Sequence, residues 1–321
     1  MPYFEGADGT SLFYTDWGQG KPVVFVTGAW LSSSAWEFQM LPLSEKGLRC
    51  VAYDKRGHGR SDWVGHGYDY DTLADDLAAL LDHLDLRDVT LVAHSMGGGE
   101  AIRYLTRHGN DRVSRIVLIA VTAPLAIRTP DNPEGIEQSS LEAGLAIRTS
   151  DRPRWMAQNT QAFFATHLGN EVSSELMEWT VQRCLDCSAK AAVEAVRIGA
   201  CTDLRGESAA LRVPTLIIHG DADASAPVHL CGRRMAELVP GNVYKEYPGA
   251  GHGIFITHAE QLNQDLIDFI GTPRPEAAGH EAGVRIQRYV GADAASSTGP
   301  PPACRRSRRP TTLPPSRVSN L

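Results

Sequence analysis

Three residues of this chain have the types and the placement for nucleophilic acyl chemistry. Ser95 stands in LVAHSMGGGE, residues 91–100, between a run of strand-forming residues and a glycine cluster. A serine hydroxyl becomes a useful nucleophile only when a neighbouring base takes its proton. His252, in the glycine-rich stretch YPGAGHG, is the candidate base. That base needs an acid to orient the ring and stabilise its positive form. Asp221 and Asp223 in HGDADASAP compete for this place. Asp223 is favoured because it lies deeper in its loop, while Asp221 suits a cap on the turn, accepting from backbone N–H groups. A developing oxyanion needs two backbone donors. The N–H of Met96 follows the nucleophile directly, and the N–H of Ala29 follows the apolar run VVFVT and Gly28.

These groups must be brought together by strands. PVVFVTG (22–28), LRCVAYD (48–54), VTLVAHS (89–95), RIVLIA (115–120) and PTLIIHG (214–220) are near-continuous apolar runs. Such runs fit strands of a parallel sheet covered on both faces. SLFYTDW (11–17) reads as an antiparallel edge strand and VYKEYP (243–248) as the last strand. Leu73, Leu77, Leu80, Leu81 and Leu84 fall on one helical face. GGGEAIRYLTRHG and AEQLNQDLIDFIG each read as a helix closed by glycine. Strand–helix alternation predicts an α/β fold with right-handed crossovers. Ser95, Asp223 and His252 then all follow the C-terminal ends of strands, the edge where open α/β sheets bind ligands.

Residues 121–210 break the rhythm with helix formers and no strand-like run, which predicts a helical cap inserted into a core of residues 1–120 and 211–271. Its Trp155, Phe163 and Phe164, together with Trp30 beside the oxyanion position, are the candidate walls of a mostly apolar substrate pocket. Among the other histidines, His58 and His66 fall in polar loops and His83 in a helix. His94 reads as pointing to the other side of its strand, His219 as packing near the site, and His258 as a helix start. DKRGHGRSD (54–62) reads as a structural turn that buries ionic contacts. Cys184 and Cys187 form CLDC within a stretch that reads as helix, not the βαβ context of a redox pair. The cysteines read as reduced thiols, and neither a metal nor another cofactor is expected.

The net charge of −7 divides unevenly. Residues 271–321 hold eight Arg and three acids, so the other 270 residues carry −12. An acidic body argues against a nucleic-acid partner. The residues from 272 onward are rich in Pro, Ser and Arg and predict a disordered tail. No apolar run approaches the roughly 18 residues that would span a bilayer. The start, MPYFEGADGTSLFY, has no basic and apolar signal segment. The expectation is a cytoplasmic protein with a small-molecule ester substrate and no membrane partner.

YDKRGHGRSD, DDLAALLDHLDLRDVTLVAHSMGGGEAIRYL, VPTLIIHGDAD, GRRMAELVPG and YPGAGHG resemble the cofactor-free bacterial haloperoxidases and related arylesterases of the α/β-hydrolase superfamily. The resemblance covers residues 3–271. It implies a triad of Ser95, Asp223 and His252 with oxyanion donors at Ala29 and Met96. It also implies hydrolysis of small esters, with hydrogen peroxide able to intercept the acyl-enzyme and form a halide-oxidising peracid. Three positions depart from the pattern: Thr27 replaces a usual His, Ala29 a usual aromatic residue, and Ala93 a usual Gly. The same triad serves acyl transfer, lactone hydrolysis and C–C hydrolysis, and a small-molecule receptor could keep it without turnover.

Overall fold

The structure is a computed structural model that describes residues 2–272 and 285–287. Its strands are β1 (Tyr3–Glu5), β2 (Ser11–Trp17), β3 (Lys21–Val26), β4 (Leu48–Tyr53), β5 (Val89–His94), β6 (Val113–Ile119), β7 (Thr215–Gly220), β8 (Val243–Tyr247) and β9 (Arg285–Gln287). They form one sheet in the order β1-β2-β4-β3-β5-β6-β7-β8-β9. Pairs β1–β2 and β2–β4 are antiparallel, and all later pairs are parallel. Every residue of β5, β6 and β7 is buried, as continuous apolar runs require when helices cover both faces.

Helices α1 (Glu37–Glu45), α2 (Tyr70–His83) and α3 (Gly97–His108) connect the first strands. After β6 come α4 (Gln138–Ser150), α5 (Arg152–Phe164), α6 (Ser174–Leu185), α7 (Ala189–Cys201) and α8 (Arg205–Ala209). Then α9 (Gly232–Leu238) follows β7, and α10 (Ile254–Thr257) and α11 (Ala259–Gly271) follow β8. In α2, Asp69 caps the first turn by accepting from the Thr72 N–H at 2.9 Å. Its Leu73, Leu77, Leu80 and Leu81 are buried against the sheet, each contributing about 2 kcal/mol relative to an exposed position. Gly109, at φ +77°, ends α3 in a conformation that a side chain would resist.

The structure corrects several readings of element order. SLFYTDW is not the edge strand, because β1 pairs outside it through Tyr3↔Phe13. VYKEYP is not the last strand either: β9 pairs parallel to β8 through Val243↔Arg285 and Lys245↔Gln287. Apart from 272 and 285–287, the tail predicted to be disordered, residues 272–321, lies outside the described residues. Helix α1 escaped the sequence reading because it carries Pro42 in its interior. A proline there cannot donate to Phe38, four residues earlier. Asn263 of α11 supplies the missing donor, with Nδ2 2.9 Å from the Phe38 carbonyl. The segment around CLDC is two helices rather than one, since α6 ends at Leu185 and Ser188 caps α7. The helices between β6 and β7 belong to one compact unit with the sheet. No helix among the described residues is long and apolar enough to cross a membrane.

Candidate active site

Ser95 occupies the turn between β5 and α3 with φ +55°, a strained conformation for a residue with a side chain. The turn is held by the Ser95 N–H donating to the Ile119 carbonyl at 3.0 Å. Position 97 must be glycine, because a Cβ there would lie 2.5 Å from the Thr27 carbonyl oxygen. Position 93 is different. Its side chain faces the main core, and the Ala93 methyl is buried there among apolar neighbours. The methyl is accommodated by packing, so the departure from glycine leaves the turn intact.

His252 lies beyond β8 with its Nε2 2.9 Å from Ser95 Oγ and its Nδ1 2.7 Å from Asp223 Oδ2. An ionised carboxylate only accepts, so Nδ1–H donates to Asp223 and Nε2 is left to accept from the serine hydroxyl. Asp223 Oδ1 accepts from the N–H groups of Ser225 and Ala226, both at 2.8 Å. Burial works against this carboxylate, but His252, His219 and the Ala226 N–H outweigh it and hold its pKa below the ordinary value. Asp221 Oδ1 instead accepts from the Gly249 N–H at 2.6 Å, tying the turn to the histidine loop. The two acids are thus separated by role: one orients the ring and the other caps a turn.

Three further histidines support the constellation. His94 lies in β5, and its Nε2–H donates to the His252 carbonyl at 3.0 Å. The reading that it points away from the site is therefore incomplete: its ring packs 4.7 Å from the His252 ring. His219 donates from Nε2 to the Ala226 carbonyl at 2.7 Å, fixing the loop that carries Asp223. His58 sits in a loop as predicted, but it is buried rather than solvated. Its Nδ1–H donates to the Arg56 carbonyl at 2.9 Å, and its Nε2 accepts from the Trp30 N–H at 3.2 Å. Burial pushes its pKa down to about 4, which keeps Nε2 available as that acceptor. Nothing local in RGHGR signals this long-range bond.

The loop after β3 carries Ala29, and the N–H groups of Ala29 and Met96 have no hydrogen-bond partner among the described residues. Gly28 is enclosed, since a Cβ would meet His94 Nδ1 at 2.8 Å and Ser95 Cβ at 2.9 Å. Behind the loop, Lys55 Nζ donates to both the carbonyl and the hydroxyl oxygen of Thr27. Nζ also lies 3.4 Å from Glu100 Oε2, and burial pushes the Lys55 pKa down and that of Glu100 up. Thr27, one of the three departures, is therefore part of a buried polar anchor.

A cavity of about 360 Å³ opens beside Ser95 and His252 and is also lined by Ala29 and Met96. Trp30, Trp155 and Phe163 line it, as the sequence suggests. Phe164 does not. It is fully buried, and its ring lies against Gly253, where a Cβ would come within 2.4 Å. Consecutive residues near the end of α5 point in different directions, so only one of the pair can face the cavity. The end of α5 also holds the histidine loop, because the Gly253 N–H donates to the Phe163 carbonyl at 2.8 Å. Cys184 lines the cavity and Cys187 is buried beside Tyr68 and Ala191, with both thiols pushed up to about 12 by burial. Thiols so shifted carry little thiolate. Among the described residues no group of three His, Cys, Asp or Glu could hold a metal ion.

The family model described as alpha/beta hydrolase fold matches residues 21–259. The chain belongs to the alpha/beta hydrolase fold family. Within it, the chain is 39% identical over 273 residues to the non-heme chloroperoxidase CPO-A1 of Kitasatospora aureofaciens, covering 84% of this chain and 99% of that one. It is 36% identical over 283 residues to the bifunctional esterase/perhydrolase DCH of Acinetobacter calcoaceticus, again covering 84% and 99%. The solved esterase EaEST from Exiguobacterium antarcticum superposes with a TM-score of 0.80 at 31% identity, covering 84% of this hydrolase-fold chain and 99% of its own.

Proposed function

We propose that this chain is a serine-dependent hydrolase of small, mostly apolar carboxylic esters, with peracid formation and halide oxidation as a side activity. The observation that carries the reading is the chain of hydrogen bonds from Asp223 through His252 to Ser95 Oγ, ending beside two unpaired backbone N–H groups at a cavity. In this reading Ser95 Oγ attacks the ester carbonyl carbon while His252 Nε2 takes its proton. Asp223 keeps the ring in the tautomer that can accept and stabilises the imidazolium that results. The N–H groups of Ala29 and Met96 donate to the carbonyl oxygen as it becomes an oxyanion. His252 then returns the proton to the leaving alcohol, and the acyl group remains on Ser95.

Water, deprotonated by His252, releases the acid and restores the serine hydroxyl. Hydrogen peroxide attacking the same acyl carbon would release a peracid, which then passes one oxygen to halide and becomes the carboxylic acid. The names of the chloroperoxidase and esterase/perhydrolase relatives support this pairing of activities.

Ser95→Ala should abolish turnover of a small aryl acetate, a drop of at least about 10⁴-fold for loss of an activated nucleophile, in a protein that still melts cooperatively. A fluorophosphonate probe should label Ser95, and labelling should disappear in His252→Ala. A receptor that merely retains the triad predicts no His252-dependent labelling, and turnover persisting in Ser95→Ala would end the serine mechanism.

A further inference from the structure

Among the described residues, the cavity wall holds one permanent charge, Arg148 of α4, and no Asp or Glu. The guanidinium is half-buried, and it has no carboxylate or carbonyl acceptor among the described residues. Its Nε is wholly enclosed and unpaired. Burial alone lowers its pKa, with no neighbouring acid to offset the desolvation. An unpaired cation beside a low-dielectric cavity is costly unless something else compensates it.

What holds Arg148 is aromatic. Its Cζ lies 4.6 Å from the Trp155 ring centre and 6.0 Å from that of Trp30, and the two indoles meet edge to face at 5.5 Å. Trp30 is itself fixed, with its indole N–H donating to the Ala192 carbonyl at 2.9 Å and its backbone N–H to His58. Stacking uses the face of a guanidinium, whereas its donors lie in its plane and stay free to grip a carboxylate. Two more deeply buried arginines do have acceptors: Arg56 has the Asp76 carboxylate, and Arg115 donates to the Thr272 carbonyl. Arg148 differs by being placed in a cavity wall.

We infer that Arg148 selects the substrate: the site takes esters that carry a second, free carboxylate, such as half-esters of dicarboxylic acids, with the carboxylate on the Arg148 fork and the ester carbonyl at Ser95. This rests on the ester-hydrolase reading and narrows its substrate class. The apolar walls pack the methylene chain between the two ends.

The test compares monomethyl with dimethyl esters of succinic, glutaric and adipic acids, which differ in one charge at constant chain. In the wild type the kcat/KM ratio of monoester to diester should be highest at one chain length. In Arg148→Leu that ratio should fall about tenfold or more, the loss expected for a charge-assisted hydrogen bond, with Arg148→Lys keeping part of it. Should Arg148→Leu fail to fold, Arg148→Gln is read in its place. A ratio that stays within about twofold at all three lengths overturns the inference while leaving the hydrolase intact. If the wild type turns over neither ester, the hydrolase reading is at fault, and calorimetry with free glutarate decides the anion site. Binding by the wild type that is lost in Arg148→Leu sustains it, and no binding by the wild type ends it.

Discussion

His58 shows what one buried side chain adds to the site and what it costs. Its neutral ring accepts from the Trp30 N–H, so it fixes the loop that carries Ala29. In the unfolded chain its pKa returns to about 6.5, whereas burial holds it down to about 4 in the fold. Between those values the unfolded chain binds a proton that the folded chain does not. Its contribution is therefore fully present above pH 6.5 and is lost as pH falls toward 4. About 2 kcal/mol should disappear between pH 7 and pH 5 from this residue. Urea midpoints at the two pH values should thus move closer together in His58→Gln than in the wild type. His94 and His219, also held neutral by burial, shift both proteins in the same sense. Equal spacing in the two proteins would remove His58 from this role.

At the scale of elements, the turn DKRGHGRSD works as a buried ionic joint. Arg56 grips Asp76 of α2 with Nε–Oδ2 at 2.8 Å and Nη2–Oδ1 at 2.7 Å, both side chains being buried. It also reaches Asp8, which is 35% exposed. Removing one partner of a buried pair strands the other charge, at a cost of about 3–5 kcal/mol. Asp76→Ala should lose about that much in denaturant unfolding, while Asp8→Ala should lose less than about 1 kcal/mol because solvent already screens it. Similar losses for both variants would show that the joint is not the anchor described. Asp54, at the start of the same turn, accepts from the Ser33 N–H at 2.6 Å and the Arg60 N–H at 2.8 Å. The reading of this motif as structural is thus visible in its bonds.

At the scale of the molecule, every residue assigned to the chemistry or the cavity lies between Ala29 and His252. Among the described residues, none after His252 is one of them. A chain ending after residue 289, which keeps β9, should hydrolyse a small aryl ester with kcat/KM within about twofold of the full chain. A loss of tenfold or more would give the region beyond it a part in catalysis. The comparison is direct, because the same assay reads both proteins.

The sequence by itself marked the central strands of the sheet and the three residues proposed as the triad. Buried parallel strands need unbroken apolar runs, and a nucleophile turn needs small residues at close-approach positions, so both leave local marks at 89–99. Loop depth favours Asp223 over Asp221, and it is Asp223 that meets His252 Nδ1 at 2.7 Å. Edge strands β1 and β9 were missed because each has three residues, too few to show a period. Only the tertiary structure decided which side chains enter the cavity. Phe163 and Phe164 are adjacent and alike, and the orientation of α5 alone puts one in the wall and the other beneath the histidine loop. Arg148 is one cation among the helix formers of the cap, with nothing in its neighbours to distinguish it from a solvated surface residue. Its lack of a carboxylate is a relation between α4, α5 and the loop after β3, and such long-range relations have no local signature in a sequence.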